Sequence, residues 1–236
     1  MEKYDIFVCC GGKCGGTTLA NTFHENGYKT VHVHSSKHLG NFKSDIDLAN
    51  GNLYKVIDYS KEKNKIYIID SYRTPIERKI SCFFQKIHIY IPNYKNVTIE
   101  NLIDYFNEHI LDSSVGTNHS INEFITYYEA NPITKFNYKK KYVKREKNNI
   151  IFIKLLFSDI KEWGNILSDA FEKEIVIHNA NLTSDKSISE IYSQFKEKYL
   201  LPKYFIEKIK VDKELAIYMQ PYQVTKYIEY WTEKSI

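Results

Sequence analysis

The sequence contains few residues of the types that build disulfide-linked or metal-based folds. Only four of its 236 residues are cysteine, five are proline and nine are glycine. The four cysteines do not have the sequence spacing of metal ligands. Two of them are adjacent in a predicted strand, where neighbouring side chains point to opposite faces of the sheet. We therefore expect reduced thiols and no metal cofactor. The cysteines are Cys9, Cys10, Cys14 and Cys82.

Long apolar runs and a strong excess of charge are also absent. No run approaches the ~20 residues of a membrane-spanning helix, and the apolar residues 4–10 lack the basic flank of a signal peptide. The formal net charge of +4 suits anionic ligands but is too small to indicate nucleic acid. We expect a cytoplasmic protein without a transmembrane segment or a nucleic-acid partner.

The length and the apolar pattern predict the fold class. A chain of 236 residues that is 43% hydrophobic can bury one substantial core, so residues 1–236 are predicted to form a single domain. Short apolar runs alternate with stretches of helical spacing, which predicts a three-layer α/β/α fold with a mainly parallel central sheet. The predicted strands are residues 4–10, 29–34, 53–57, 65–70, 149–155 and 174–178.

A glycine-rich turn separates the first predicted strand from the first predicted helix. The first turn of a helix leaves backbone N–H groups without partners and carries partial positive charge, so an anion is its natural ligand. Glycine lets the backbone approach a phosphate closely, while lysine and threonine add charge and hydroxyl donors. The candidate phosphate-binding residues are Lys13, Cys14, Gly15, Gly16, Thr17 and Thr18.

The order of residues in this turn is not that of a nucleoside triphosphatase. Such a loop runs G-x-x-x-x-G-K-[ST], with the lysine directly before the hydroxyl residue. Here Lys13 comes first, in the order KCGGTT. That order resembles the 5′-phosphosulfate loop, K-x-G-T-T, of sulfotransferases that use 3′-phosphoadenosine 5′-phosphosulfate (PAPS). One extra glycine precedes the threonines.

A second motif follows the buried strand at residues 65–70. Arg73 stands at the strand end, Pro75 suits the start of a helix, and Ser81 lies about two turns into that helix. Arginine can bind a phosphate with two parallel hydrogen bonds. The segment resembles the 3′-phosphate motif of the same sulfotransferases, R-[DN]-P-x-x-R-x-x-S, with Arg78 as its second arginine and Thr74 in place of the acid or amide.

The two motifs, in this order, resemble those of the PAPS-dependent sulfotransferase family. The resemblance is closest to its carbohydrate (2-O-type and polysaccharide) members. The resemblance implies a P-loop-like sulfotransferase fold and transfer of a sulfuryl group to a carbohydrate hydroxyl, including that of a surface or capsular polysaccharide. It also implies that Lys13 binds the phosphosulfate and stabilises charge on the leaving oxygen, and that Arg73 and Ser81 hold the 3′-phosphate. Lys186 matches a loop that closes over the nucleotide.

The base that would accept the acceptor's proton does not transfer from the family, because residues 53–60 contain no histidine. Ligands of open α/β sheets bind at the carboxyl ends of the strands. His34 ends the second predicted strand and would lie near the glycine turn if that strand neighbours the first. Histidine can accept a proton near neutral pH, so His34 is the candidate base. His32, His38 and Asp58 stay open as alternatives.

Two other functions fit parts of the sequence. A nucleotide kinase would use Asp70 as the acidic end of a strand, but a kinase of this kind also needs the G-K-[ST] order, which this sequence lacks. A catalytically silent nucleotide-binding protein on the same fold would bind the nucleotide and transfer nothing. The basic run at residues 139–147 predicts a solvated hairpin, with contact to an acidic polysaccharide as the alternative.

Overall fold

The computed structural model describes residues 2–35, 38–39, 53–62, 64–116, 121–178 and 188–236. The chain divides into two compact units. The first unit consists of Met1–Arg73 and Asn118–Asn181, and the second consists of Thr74–Thr117 and Leu182–Ile236. The single domain expected from chain length stays a prediction.

A mainly parallel sheet forms the centre of the first unit, as the sequence predicts. Its strands lie in the order β3-β2-β1-β4-β6-β5. The four inner strands are mutually parallel, and the two edge strands pair antiparallel to their neighbours. The strands are β1 (Ile6–Cys9), β2 (Thr30–Ser35), β3 (His38–Leu39), β4 (Ile66–Tyr72), β5 (Tyr142–Lys147) and β6 (Ile150–Leu156).

Helices account for most of the remaining described residues, and none of those described is long and apolar enough to cross a membrane. The first unit contains α1 (Gly16–Glu25), α2 (Leu53–Lys61), α6 (Asn122–Tyr127) and α7 (Trp163–Phe171). The second unit contains α3 (Pro75–Gln85), α4 (Ile87–Tyr90), α5 (Ile99–Tyr105), α8 (Ser189–Lys198), α9 (Lys203–Lys210), α10 (Lys213–Tyr218) and α11 (Pro221–Glu233). Helix α5 continues as a π-helix (Phe106–Ile110), and 3-10 helices cover Tyr94–Asn96 and Phe157–Glu162.

Helices pack on both faces of the sheet. On one face, Phe23 of α1 and Trp163 of α7 share a buried cluster with Ile153 of β6. Phe152, the neighbour of Ile153, points to the opposite face because successive strand residues alternate. Its ring lies 6.5 Å from that of Tyr128, which follows α6. The α/β class predicted from the sequence is therefore confirmed.

The prediction of a strand at residues 53–57 is wrong, because this segment begins helix α2. Its buried residues are Leu53, Val56, Ile57 and Ser60, whose spacing of three and four residues is that of one helix face. The apolar residues at 53, 56 and 57 suggest a short strand only because the predicted segment stops at residue 57. Burial of Ser60 one turn further on identifies the helical period.

The prediction of a strand at residues 174–178 is also wrong. Its backbone amides bind side chains of α1 and α7 and the residue after α1 instead of a neighbouring strand. The amide of Ile175 donates to Ser168 Oγ at 2.9 Å, and that of Val176 donates to Asn26 Oδ1 at 3.1 Å. The segment has no strand partner among the described residues, and its alternating apolar pattern reflects packing against two helices.

Other predictions differ in detail. Pro92 and Asn93 predict a loop at residues 88–96, but this segment contains the end of α4 and a 3-10 turn. The basic run at residues 139–147 forms β5 and the turn before it, and β5 makes a hairpin with β6. The spacing of Ser120 to Glu123 and of Ser187 to Glu190 predicts two capping boxes, but both serines lie outside the described residues.

Candidate functional site

The glycine turn lies where the strand order of the sheet reverses. Strand β1 has β2 on one side and β4 on the other, so the chain leaves β1 toward one edge and later returns to the other. In open α/β sheets this point forms a crevice at the carboxyl ends of the strands, where ligands bind. Residues 10–15 of the turn, the start of α1 and the end of β4 meet there.

Three carbonyl oxygens of the turn are held by side chains that lie on the neighbouring strands β2 and β4 or directly after β4. Arg73 Nη1 donates to the carbonyl of Lys13 at 2.9 Å, and the Ser71 hydroxyl donates to the carbonyl of Cys14. His34 Nδ1 lies 3.0 Å from the carbonyl of Cys10. These contacts orient the negative ends of the peptide dipoles toward protein donors, an arrangement compatible with an anion on the other side of the turn.

Gly15 and Gly16 are required by packing, independently of any ligand. Gly15 has a φ of +80°, and a Cβ there would lie 2.6 Å from the Trp163 ring. A Cβ on Gly16 would overlap His32 Nε2 and approach the side chain of Cys10 to 3.0 Å. The close approach of α1 to β2 and α7 therefore explains both glycines.

We expect Gly15→Ala to destabilise the protein more than Gly27→Ala. Both glycines have positive φ, which costs an L residue about 1–2 kcal/mol. Only Gly15 faces a ring, because nothing lies within 4 Å of a Cβ at Gly27. The overlap with Trp163 should add about 1–3 kcal/mol to the loss of unfolding free energy, measured by urea denaturation. Equal losses for the two variants would contradict this packing role.

The other candidate phosphate-binding side chains differ in accessibility. Lys13 is half-buried with a φ of +65°, and Thr17 is exposed at the start of α1. Thr18 and Cys14 are 5% and 1% exposed. The Cys14 side chain belongs to the buried cluster beneath the turn, so Cys14 can meet a ligand only through its backbone.

Arg73 connects the end of β4 to the glycine turn. Its guanidinium packs over the Phe157 ring at 4.5 Å while it donates to Lys13. Because arginine has five N–H donors, this contact leaves capacity for an anion. The sequence places Arg73 and Lys13 in separate motifs, and the pairing of β1 with β4 brings them into direct contact.

The remaining residues of the second motif lie in the second unit. Arg78 and Ser81 are on helix α3, which begins at Pro75 as predicted, and they are 1% and 8% exposed. Glu77 on the same helix accepts a hydrogen bond from the Tyr227 hydroxyl at 2.9 Å. Lys186, the candidate from the nucleotide-covering loop, lies outside the described residues.

Strand β2 neighbours β1 as the prediction for His34 requires, and it places His32 and His34 side by side. Their rings lie 4.8 Å apart in an edge-on arrangement. His34 is exposed, whereas His32 is 8% exposed. Burial, with a smaller contribution from His34, lowers the pKa of His32 from 6.5 to about 4. His32 is therefore neutral at pH 7, and its Nε2 has no hydrogen-bond partner within the described chain.

The depressed pKa of His32 predicts a loss of stability in acid. Unfolded His32 binds a proton below about pH 6.5, whereas the folded protein resists protonation until about pH 4. The free energy of unfolding should therefore fall by about 2–3 kcal/mol between these pH values and then level off. Urea denaturation across this range should show that His32→Gln removes this fall, whereas His24→Gln, at an exposed histidine of α1, retains it. An unchanged slope in His32→Gln would contradict the assignment.

The other candidate bases are less well placed or not described. Asp58 lies on α2 and forms an ion pair with Lys61 at 2.7 Å. The backbone of His38 belongs to β3, and its side chain lies outside the described part of the chain. His32 and His34 both contact the glycine turn, and His34 is the exposed one of the two.

Asp70, the acidic strand end of the kinase hypothesis, lies in a buried ion pair. Its Oδ2 is 2.5 Å from Lys154 Nζ, both side chains are 1% exposed, and the same oxygen accepts from the amide of Ile121 at 3.0 Å. Ser71, the next residue, points to the opposite face and binds the glycine turn. Asp70 therefore faces away from the side of β4 that contacts the turn.

Sequence analysis missed two residues that shape the site. Ser71 shares a strand face with Ile69, and this alternation could have indicated that it points toward the α1 side of the sheet. Trp163 is distant in sequence, and no local pattern links it to Gly15.

In the described ranges no three histidine, cysteine, aspartate or glutamate residues are grouped as metal ligands. Comparison with family models, curated proteins and solved structures finds no match to this chain.

Proposed function

We propose that this protein transfers a sulfuryl group from PAPS to a hydroxyl of a carbohydrate acceptor. The contact between Arg73 and the carbonyl of Lys13 carries the proposal. These residues belong to two phosphate-binding motifs that lie 60 residues apart in sequence. Their meeting at the carboxyl ends of two adjacent parallel strands suits a donor that carries phosphate at two positions.

The start of α1 would hold the 5′-phosphate of the donor. Helix N-termini favour anions through their N–H groups and their dipole. Thr17 adds an exposed hydroxyl, and Lys13 adds a positive charge from inside the turn. The three carbonyls held by Arg73, Ser71 and His34 support this assignment. Because their oxygens face protein donors, fewer partial negative charges of the turn would face a bound anion.

Arg73 would bind the 3′-phosphate and so orient the sulfuryl group. Its partial burial against Phe157 fixes the guanidinium plane, which favours a two-point contact to phosphate. Ser81 and Lys186 stay predictions from the sequence for the same phosphate. The carbohydrate class of acceptor rests on the resemblance of the Arg73 motif to carbohydrate sulfotransferases.

In the proposed reaction the acceptor oxygen forms a bond to sulfur while sulfur separates from the bridging oxygen of the phosphosulfate. Lys13 stabilises the charge that develops on this leaving oxygen. The products are the sulfated acceptor and 3′-phosphoadenosine 5′-phosphate. As in phosphoryl transfer, positioning and electrostatic stabilisation supply most of the acceleration.

His34 would accept the proton of the acceptor hydroxyl. A carbonyl oxygen only accepts hydrogen bonds, so the contact with Cys10 assigns the ring hydrogen of neutral His34 to Nδ1. The lone pair is then on Nε2, the nitrogen able to take a proton. This tautomer and the exposure of His34 support its role as base.

The kinase hypothesis has less support. Transfer of phosphate from ATP needs an acidic residue that holds magnesium near the phosphates. Asp70 is instead committed to Lys154 and to the amide of Ile121. We therefore prefer the sulfotransferase.

Thermal unfolding with nucleotides tests the donor site directly. A ligand that binds only the folded state stabilises it, by about 2.7 kcal/mol at 100 times its Kd. We expect 3′-phosphoadenosine 5′-phosphate to raise the Tm more than adenosine 5′-phosphate or ATP with magnesium. In Arg73→Lys, which keeps the charge but loses the two-point contact, this preference should shrink. Stabilisation by ATP with magnesium alone would support the kinase and overturn the proposal.

A further inference from the structure

A groove on the first unit lies away from the glycine turn, along strand β5. Its volume is about 550 Å³, within the range of about 300–1,000 Å³ typical of ligand pockets. We call it the β5 groove. It is lined by Lys135, Phe136, Asn137, Lys140, Tyr142, Val143, Lys144 and Arg145.

The β5 groove follows the edge of the sheet. Residues 142–145 are consecutive, and consecutive strand residues point to opposite faces. All four can line one cavity only where it runs along the strand edge. Strand β5 is last in the sheet order and pairs with β6 on its other side. An edge strand presents backbone N–H and C=O groups that can pair with another chain.

The charge of the β5 groove is positive. Four of its lining residues are Lys or Arg, and no Asp or Glu is among those lining residues. Nearby carboxylates have partners of their own: Asp169 accepts from the Tyr142 hydroxyl at 2.8 Å, and Glu162 pairs with Lys141 at 2.6 Å. Glu172 lies 3.9 Å from Lys144, and Glu172 and Asp169 both partly offset the groove charge, because the neutral Tyr142 hydroxyl does not cancel the charge of Asp169.

The aromatic residues of the groove offer no exposed ring face. Phe136 is 2% exposed and Tyr142 is 4% exposed. Single-stranded nucleic acids are held largely by bases stacked on aromatic rings, which this groove cannot provide. Backbone groups and cations remain as its means of recognition, and a polypeptide with carboxylate side chains complements both.

We propose that the β5 groove binds an acidic polypeptide segment in an extended conformation, as a further strand beside β5. Main-chain hydrogen bonds would provide affinity, and alternate acidic side chains would meet the cations. Arg145 Nη1 now donates to the neutral carbonyl of Lys144 at 3.1 Å, and a carboxylate is a stronger acceptor for it. The edge of a second copy carries the same positive charge and is repelled.

Fluorescence anisotropy with short labelled peptides tests this proposal. A peptide of alternating Glu and Val should bind the full chain, whereas one of alternating Lys and Val should not. The Glu-Val peptide methylated on alternate backbone nitrogens keeps its charge but loses strand hydrogen bonds. It should bind at least about tenfold more weakly. Equal affinity for the methylated peptide, or for chondroitin sulfate or a thymidine oligonucleotide, would overturn strand addition.

Charge-matched variants locate the site. Lys140→Glu/Arg145→Glu should weaken Glu-Val peptide binding by about tenfold or more. Lys95→Glu/Lys203→Glu changes the net charge equally at exposed lysines of the second unit and should leave binding unchanged. Circular dichroism would confirm that both variants fold. Equal weakening by both variants would indicate nonspecific attraction, and Arg145-dependent self-association without peptide binding would assign the edge to a second copy. Either result would refute the proposal.

Discussion

Lys13→Ala is expected to lower the rate of the proposed sulfuryl transfer by about 10²–10³-fold, because it removes the charge that we propose stabilises the leaving oxygen. Loss of one preorganised electrostatic contact of this kind affects the transition state more than the bound substrate. The fall should therefore appear in kcat. Steady-state kinetics with saturating donor measures it.

The backbone of the turn provides a control for this variant. Lys13 has a φ of +65°, a conformation that glycine adopts more easily than alanine. Lys13→Gly should thus keep or raise the Tm while it loses activity as fully as Lys13→Ala. Lys29→Ala removes an exposed lysine paired with Glu2 and should be fully active. A Lys13→Gly enzyme with normal kcat would exclude the proposed role of the amine.

His34→Gln is expected to lower kcat/KM by about 10²–10⁴-fold, the usual contribution of a general base. The amide of glutamine cannot take a proton from the acceptor hydroxyl, so the loss should appear in the chemical step. Steady-state kinetics of the two proteins measures it.

Donor binding separates this role of His34 from a structural one. The Tm increase caused by 3′-phosphoadenosine 5′-phosphate should be unchanged in His34→Gln, because the amide side chain can still donate to the carbonyl of Cys10. His24→Gln, at an exposed position of α1, should retain full activity. A near-normal kcat/KM in His34→Gln would assign the base to another group.

The parts of the fold with local signals were predictable. Glycines followed by helical spacing identified the turn before α1, and Pro75 marked the start of α3. The predictions of strands at residues 53–57 and 174–178 failed because a few apolar residues fit a strand and a helix face equally well. Ser168 and Asn26, whose side chains replace a strand partner for residues 175 and 176, are not adjacent to them in sequence.

The candidate site was predictable in its residues but not in its contacts. Lys13 and Arg73 carried recognisable motifs, and the rule that ligands bind at strand ends suggested that His34 would join them. Sheet order decides whether these residues meet, and order depends on long-range pairing. Trp163 fills the space over Gly15 from a helix about 150 residues later, beyond any local pattern.

The buried pair of Asp70 and Lys154 links two positions that lie 84 residues apart in the chain. Removing either partner alone strands a charge in the interior and costs about 3–5 kcal/mol, whereas replacing both with apolar residues of similar volume is often neutral. Evolutionary change at one position is therefore conditional on the other. Sequences that share this sheet should carry both charges or neither, so covariation of these two columns would report the adjacency of β4 and β6 without any structure.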